Sequence, residues 1–260
     1  MLLYINGDKK IIKRYKGTQL VYQVESSGDT SGIIMTGNTL SFKYVINDIV
    51  TSSNISVNGS SYSLTAADGE SLGDGYYKYT TTPTETITSV EFTSGNVWEI
   101  YALPNGLTTM NYMFSGISSL TTLDLRGLNT SNVSLMRYAF SACNALTSLN
   151  VSGWDTSKLV DCMNMFRNCS ALVELDLSTW NTSNLTKLDR LFYGCRNLST
   201  LNISDWGIDI NRVTSYSEIF TNCSSLSTLI LGNVSQSAYN WWVARLTEAG
   251  ISPTIEYTIV

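Results

Sequence analysis

From Leu107 to Val234 the apolar positions of the chain recur every 26 residues. Aligned on one aromatic position, the copies place Phe114, Phe140, Phe166, Phe192 and Phe220 at intervals of 26, 26, 26 and 28. Other columns keep the same register: Ile117, Cys143, Cys169, Cys195 and Cys223; Leu120, Leu146, Leu172, Leu198 and Leu226; Leu123, Leu149, Leu175, Leu201 and Leu229. A fixed period of roughly 20 to 50 residues marks a solenoid, whose units are too small to bury their own apolar face and stack to do so.

Within one unit the period changes. Val133, Met136, Phe140 and Cys143 fall at i, i+3, i+7 and i+10, one stripe of a helix, so a short helix is predicted there. Thr130-Ser131, Thr156-Ser157 and Thr182-Ser183 precede successive copies and offer side-chain oxygens to the free amides of a first helical turn. Leu146-Thr-Ser-Leu149-Asn-Val151 then has the L-x-x-L-x-L form of a leucine-rich-repeat strand, with the leucines inward and the intervening residues on the open face. The predicted fold is an α/β leucine-rich-repeat solenoid of parallel strands and short helices, preceded by a small antiparallel β region.

The flanks divide the rest. Residues 1–24 read as a β meander, 25–86 as a small β domain with Asn58-Gly59 as a hairpin turn, 87–234 as the solenoid and 235–260 as its C-terminal cap. Ile87-Thr-Ser-Val90-Glu-Phe92 is a degenerate copy of the strand signature, expected to be the first, capping strand of the stack. In the last segment, Ser235 to Gly250 reads as a capped helix whose Trp241, Trp242 and Leu246 cover the final repeat, and Ile255–Val260 as a last strand that completes the sheet edge or pairs with another subunit. Gly207-Ile-Asp-Ile-Asn-Arg212 makes the fourth copy two residues longer, which predicts a bulge.

The phrase Met110-x-x-Met113-Phe114-Ser-Gly-x-Ser-Ser-Leu120-Thr-Thr-Leu123-Asp-Leu125, with Trp154-Asp-Thr-Ser-Lys-Leu159 and Trp180-Asn-Thr-Ser-Asn-Leu185, resembles the BspA-like leucine-rich repeats, the 26-residue bacterial surface protein repeat. That resemblance covers about half of the chain and implies adhesion or recognition rather than catalysis. Tyr4 to Gln23 resembles the short leader of tail and fibre proteins of gut bacteriophages, which implies a β element that docks on a particle. Met1-Leu-Leu-Tyr-Ile5 runs straight into the turn Asn6-Gly7-Asp8, shorter than the apolar core of roughly 7 to 15 residues in a secretory signal.

Composition narrows the chemistry. A net charge of -5 argues against nucleic acid as the main partner, and the chain has no histidine, the commonest general base and metal ligand. Lys9, Lys10, Lys13, Arg14 and Lys16, with Asp8, give residues 1–24 about +4 and leave about -9 elsewhere. These five basic residues are candidate docking contacts for an acidic partner, or guards of an exposed strand edge. Four of the five cysteines share one apolar column, where Ile117 stands in the first copy, and read as a buried free-thiol ladder, with Cys162 outside it. The acidic loop Asp68–Gly75 does not match a calcium-loop spacing, so no metal or cofactor is expected.

Leu128, Trp154, Trp180 and Trp206 form an indole column that reads as packing, with sugar stacking as its alternative. The outward strand positions supply the candidate binding face: Asp124, Arg126, Asn150, Glu174, Asp176 and Asn202. Asp124 and Asp176 lie two rungs apart, roughly 9 to 10 Å, the far edge for an inverting carboxylate pair, and neither has an apolar pocket to raise its pKa. No enzymatic activity is expected. The reading is a virion structural or recognition protein of a bacteriophage, a fibre, decoration or tail-associated protein at the virion surface. Its expected partners are other virion proteins and a host surface glycan or protein, with a homo-oligomer possible in principle and no membrane span. The alternative is a bacterial cell-surface adhesin.

Overall fold

In the computed structural model, residues 106–260 are described with their side chains, apart from positions 119, 127 and 205, and before them the backbone of strands and the side chain of Val90. The side chains of the docking residues Lys9, Lys10, Lys13, Arg14 and Lys16, and those of the 25–86 segment, lie outside what is described.

Five turns stack into a solenoid. Strands β1 (Thr122–Asp124), β2 (Ser148–Asn150), β3 (Glu174–Asp176), β4 (Thr200–Asn202) and β5 (Thr228–Val234) contribute one rung each. Their central leucines point inward and their flanking residues outward, the alternation of a half-buried strand. Pairing is parallel and in the predicted register, Leu123 against Leu149 and Leu201 against both Leu175 and Leu229. Helix α1 (Gln236–Glu248) crosses over and delivers β6 (Thr254–Ile259) alongside β5, so the last strand completes the sheet edge. Ser235 Oγ caps α1 by accepting the Ala238 N–H at 3.2 Å, and Trp242 and Leu246 seal the last turn.

The core is one continuous cluster. Phe114, Phe140, Phe166, Phe192 and Phe220 stack face to face with centroids 5.1 to 5.8 Å apart, and each is fully buried. Trp154, Trp180 and Trp206 form a second stack at 6.0 and 6.1 Å, at most 5% exposed, so the indoles are packing and present no surface to a sugar. All five cysteines are free, and the four of the column donate Sγ–H to the phenylalanine carbonyl one repeat back at 3.0 to 3.1 Å. Burial pushes the Cys143 thiol up to about 12.

Three expectations are corrected. No repeat contains an α-helix among the described residues. Where a helix was predicted, the backbone alternates between right- and left-handed residues: Tyr112, Tyr138, Asn164, Arg190 and Glu218 have φ of 52 to 57°, and Ala142, Asn168 and Asn222 follow at 59 to 63°. A left-handed residue costs roughly 1 to 2 kcal/mol. In return, every second amide turns outward to the next repeat: Tyr112 N–H reaches the Arg137 carbonyl at 2.8 Å, Phe114 that of Ala139 at 2.8 Å and Gly116 that of Ser141 at 2.7 Å. The other amides close tight turns three residues back, which keeps the apolar side chains at near-helical spacing.

The second correction concerns caps. Thr130 and Thr156 do not cap their own turns; their hydroxyls donate to the carbonyls of Asp155 and Asn181 in the following repeat, each at 3.1 Å. The preceding Asn129, Asp155, Asn181 and Asp209 receive the amide two residues on, as Asx turns. Third, Val90–Phe92 does not begin the parallel stack. It pairs antiparallel with Ser53–Val57, although Val90 is buried in the same core. That segment has no copy of the Met-x-x-Met-Phe turn ahead of it to supply the second ladder of bonds.

Candidate functional site

Repetition makes departures visible. One position before each strand, Thr121, Thr147, Val173, Ser199 and Ser227 form a column. At Thr147, Ser199 and Ser227 both the amide and the hydroxyl donate to the column residue one repeat back, the hydroxyls at 2.9, 3.1 and 3.1 Å. Val173 has no hydroxyl, and its amide makes no such bond to Thr147. No strand pairing joins β2 to β3, and the sheet divides into β1-β2 and β3-β4-β5-β6.

Other bonds are missing with it. Leu125, Leu177 and Ile203 each donate N–H to the next rung at 2.8 to 2.9 Å, but Val151 does not reach Asp176. Trp154 and Trp206 donate indole Nε1–H to Leu125 and Leu177 carbonyls at 2.9 Å. Trp180, held in the same near-parallel stack and aimed at Val151, has no partner although its indole nitrogen is buried. On the turn side the same two repeats stay bonded, Tyr138 to Met163 at 3.0 Å and Phe140 to Met165 at 2.9 Å. The solenoid is therefore closed at its back and open at the strand face.

The opening is a groove of about 560 Å³ between Thr147–Ser152 and Val173, Glu174, Asp176 and Thr179. Leu149 at its floor is 9% exposed against 0 to 3% for the other strand leucines, and Val173 at its rim is 46% exposed. Of the predicted face residues, the groove gathers Asn150, Glu174 and Asp176. Asp176 Oδ1 accepts the Ser178 amide at 2.9 Å, and neither Glu174 nor Asp176 has a basic partner among the described residues. Asp124 and Arg126 lie outside it, locked to each other by a bidentate ion pair with contacts of 2.6 to 3.0 Å. That hydrogen-bonded carboxylate, then its charge, holds the Arg126 pKa above the ordinary arginine value. Asn202 is also apart, turned to the Ser204 amide.

A second feature was not anticipated from the sequence. On the turn side Asp161, buried, accepts from Arg137 at 2.6 Å and lies 3.8 Å from Lys187, tying the second, third and fourth turns. Tyr112 stacks on Tyr138 at 4.8 Å in the same row. The signal was available in the aligned column Thr109, Leu135, Asp161, Lys187 and Ser215, where opposite charges sit one repeat apart. Among the described residues no group of acidic and thiol side chains is arranged to hold a metal, and no helix is long and apolar enough to cross a membrane.

The fold and its open face define a leucine-rich-repeat solenoid. Residues 107–234 match the family model described as "Mycoplasma protein of unknown function, DUF285". A leucine-rich repeat protein from Bacteroides ovatus ATCC 8483, known from its crystal structure, is similar at 16% identity with a TM-score of 0.21, over 79% of this chain and 75% of that one. No curated protein matches the chain.

Proposed function

We propose that this chain is a recognition module of a bacterial cell-surface protein, which holds a macromolecular partner on its open strand face by contact rather than by catalysis. The observation that carries this reading is the divided sheet: a continuous core holds a polar face rigid, and at one groove that face leaves strand amides without acceptors and two carboxylates without a basic partner among the described residues. Polar groups held on a rigid frame in this way bind without the cost of ordering themselves. The Asp124 carboxylate is occupied by Arg126, which leaves it no free proton-transfer role beside Asp176. The cell-surface reading is supported by the BspA-like form of the repeats in residues 107–234, whereas a virion role would rest on the leader-like residues 4–23 alone.

The test is binding of the full chain to immobilised host-surface proteins and glycans. Retention should be lost in Glu174→Lys/Asp176→Lys and kept in the turn-side control Arg190→Glu. Equal retention by both variants would move the contact off the strand face. Antibody labelling of intact bacteria and of purified phage particles decides the location, and label confined to particles would overturn the cell-surface reading.

A further inference from the structure

Resting on the recognition role proposed above, we propose that the break between β2 and β3 is a binding site for a lysine or arginine side chain carried on an extended polypeptide segment. Two independent observations meet there. Glu174 and Asp176 project from β3 with no cation among the described residues, on a face where the remaining groove side chains are neutral. Behind them the buried Trp180 Nε1–H, with the amides of Val151 and Val173, has lost its acceptor.

A polypeptide supplies both halves of what is missing. A main-chain carbonyl of the segment can take the Val173 amide at the exposed rim. The Thr147 carbonyl, which no neighbouring repeat uses, can take an N–H in return. A guanidinium or ammonium group then answers the carboxylates, and its alkyl stem can lie on the exposed Val173 methyls. Because the turn-side bonds and the Phe140–Phe166 stack at 5.6 Å stay closed beneath, the segment lies over the groove and does not wedge the repeats apart. Val173 is thus the residue that keeps the site open. It is a positioning residue, since a hydroxyl at 173 would bond Thr147 as Ser199 and Ser227 bond their predecessors.

The experiment is fluorescence anisotropy of a labelled nonapeptide of alternating arginine and serine on the full chain, beside its citrulline counterpart, which keeps shape and loses charge. The arginine peptide should bind at least about tenfold more tightly than the citrulline one, and more weakly as salt rises. Glu174→Gln/Asp176→Asn and, separately, Val173→Thr should each weaken it about tenfold, while Glu218→Gln on the turn side should not. Amide exchange at Val151 reports whether Val173→Thr has closed the sheet; if it has not, the carboxylate variants alone decide. Equal binding of the two peptides, or full binding by the carboxylate variants, overturns the proposal. Oligosaccharides that bind the parent and not Val173→Thr would also overturn it, making the groove a glycan site while leaving the recognition role standing.

Discussion

Trp180 stands to Val151 as Trp154 stands to Leu125 and Trp206 to Leu177, and only Trp180 makes no hydrogen bond to the carbonyl it faces. The indole itself is in its proper place in the stack. What differs is the strand side of the second and third turns, where the column has the isopropyl group of Val173 in place of a hydroxyl.

Val173→Thr should therefore stabilise the protein. Restoring one hydrogen bond and the pairing around it is expected to add about 1 kcal/mol, with little lost from a side chain already 46% exposed. A thermal melt compared with the parent checks this; an unchanged or lower midpoint would detach the break from Val173.

Phe166→Ala should cost about 3 to 5 kcal/mol, because the ring is fully buried between Phe140 and Phe192 and the stack cannot collapse into the cavity without moving two turns. Urea denaturation reads the loss directly.

Two threonines of one column should behave differently. Thr156 donates to Asn181, so Thr156→Val leaves a part-buried bond between repeats unmade and is expected to cost about 1 kcal/mol. Thr182 has lost its acceptor to the longer fourth repeat and its hydroxyl is buried without a partner, so Thr182→Val should be neutral or stabilising. Paired melting curves separate them.

Asp161→Ala removes the buried acceptor of Arg137 and of the Met163 amide, and is expected to cost about 1 to 3 kcal/mol while loosening the second to fourth turns together. Hydrogen exchange should quicken at Tyr138 and Asn164 more than at Phe220; a uniform change would argue against a local tie.

Acid should unfold the solenoid through its hydrogen-bonded carboxylates. Burial alone would raise the Asp189 pKa, but the bonds from Ser215 and Ser217 outweigh it and hold it below the ordinary aspartate range. Bonds from Ser217 have a counterpart at Asp155, lowered first by its hydrogen bonds from Ser157. A depressed folded pKa contributes stability that is fully present above the unfolded value of about 3.9 and fades as pH falls through the folded one. Asp189→Asn should flatten the decline in melting temperature below about pH 4, measured against the parent in the same buffers.

The sequence shows the stack and hides its backbone. Phe, Leu and Cys columns give the period, the inward positions and the shared core, since burial is what repetition must preserve. The turn segments mislead because residues spaced three and four apart face inward both in a helix and in successive tight turns. Gly116, Asn168, Gly194 and Asn222 carried the correct signal, being the residue types that tolerate a left-handed backbone. Asn150, Glu174 and Asp176 were legible as an outward face, whereas the groove they share lies beside the one column position without a hydroxyl, Val173, a departure that only the aligned column reveals. Asp124, Arg126 and Asn202 were placed on the right face but are spent on local bonds.

In the ladder from Tyr112 to Thr221 the alternate amides of one turn donate to carbonyls of the next, whereas Ser134, Val160, Thr186 and Thr214 at its edge donate back to the preceding turn. Peptide dipoles so aligned add rather than cancel, as they do in a helix and do not in an ordinary sheet. The wall is in effect a small bar of fixed polarisation lying along the molecule, lengthened by each duplication of the unit. Its positive pole is the last turn, where the amides of Tyr216, Glu218 and Asn222 have no backbone acceptor among the described residues and the carboxylates of Glu218 and Glu248 border the same hollow.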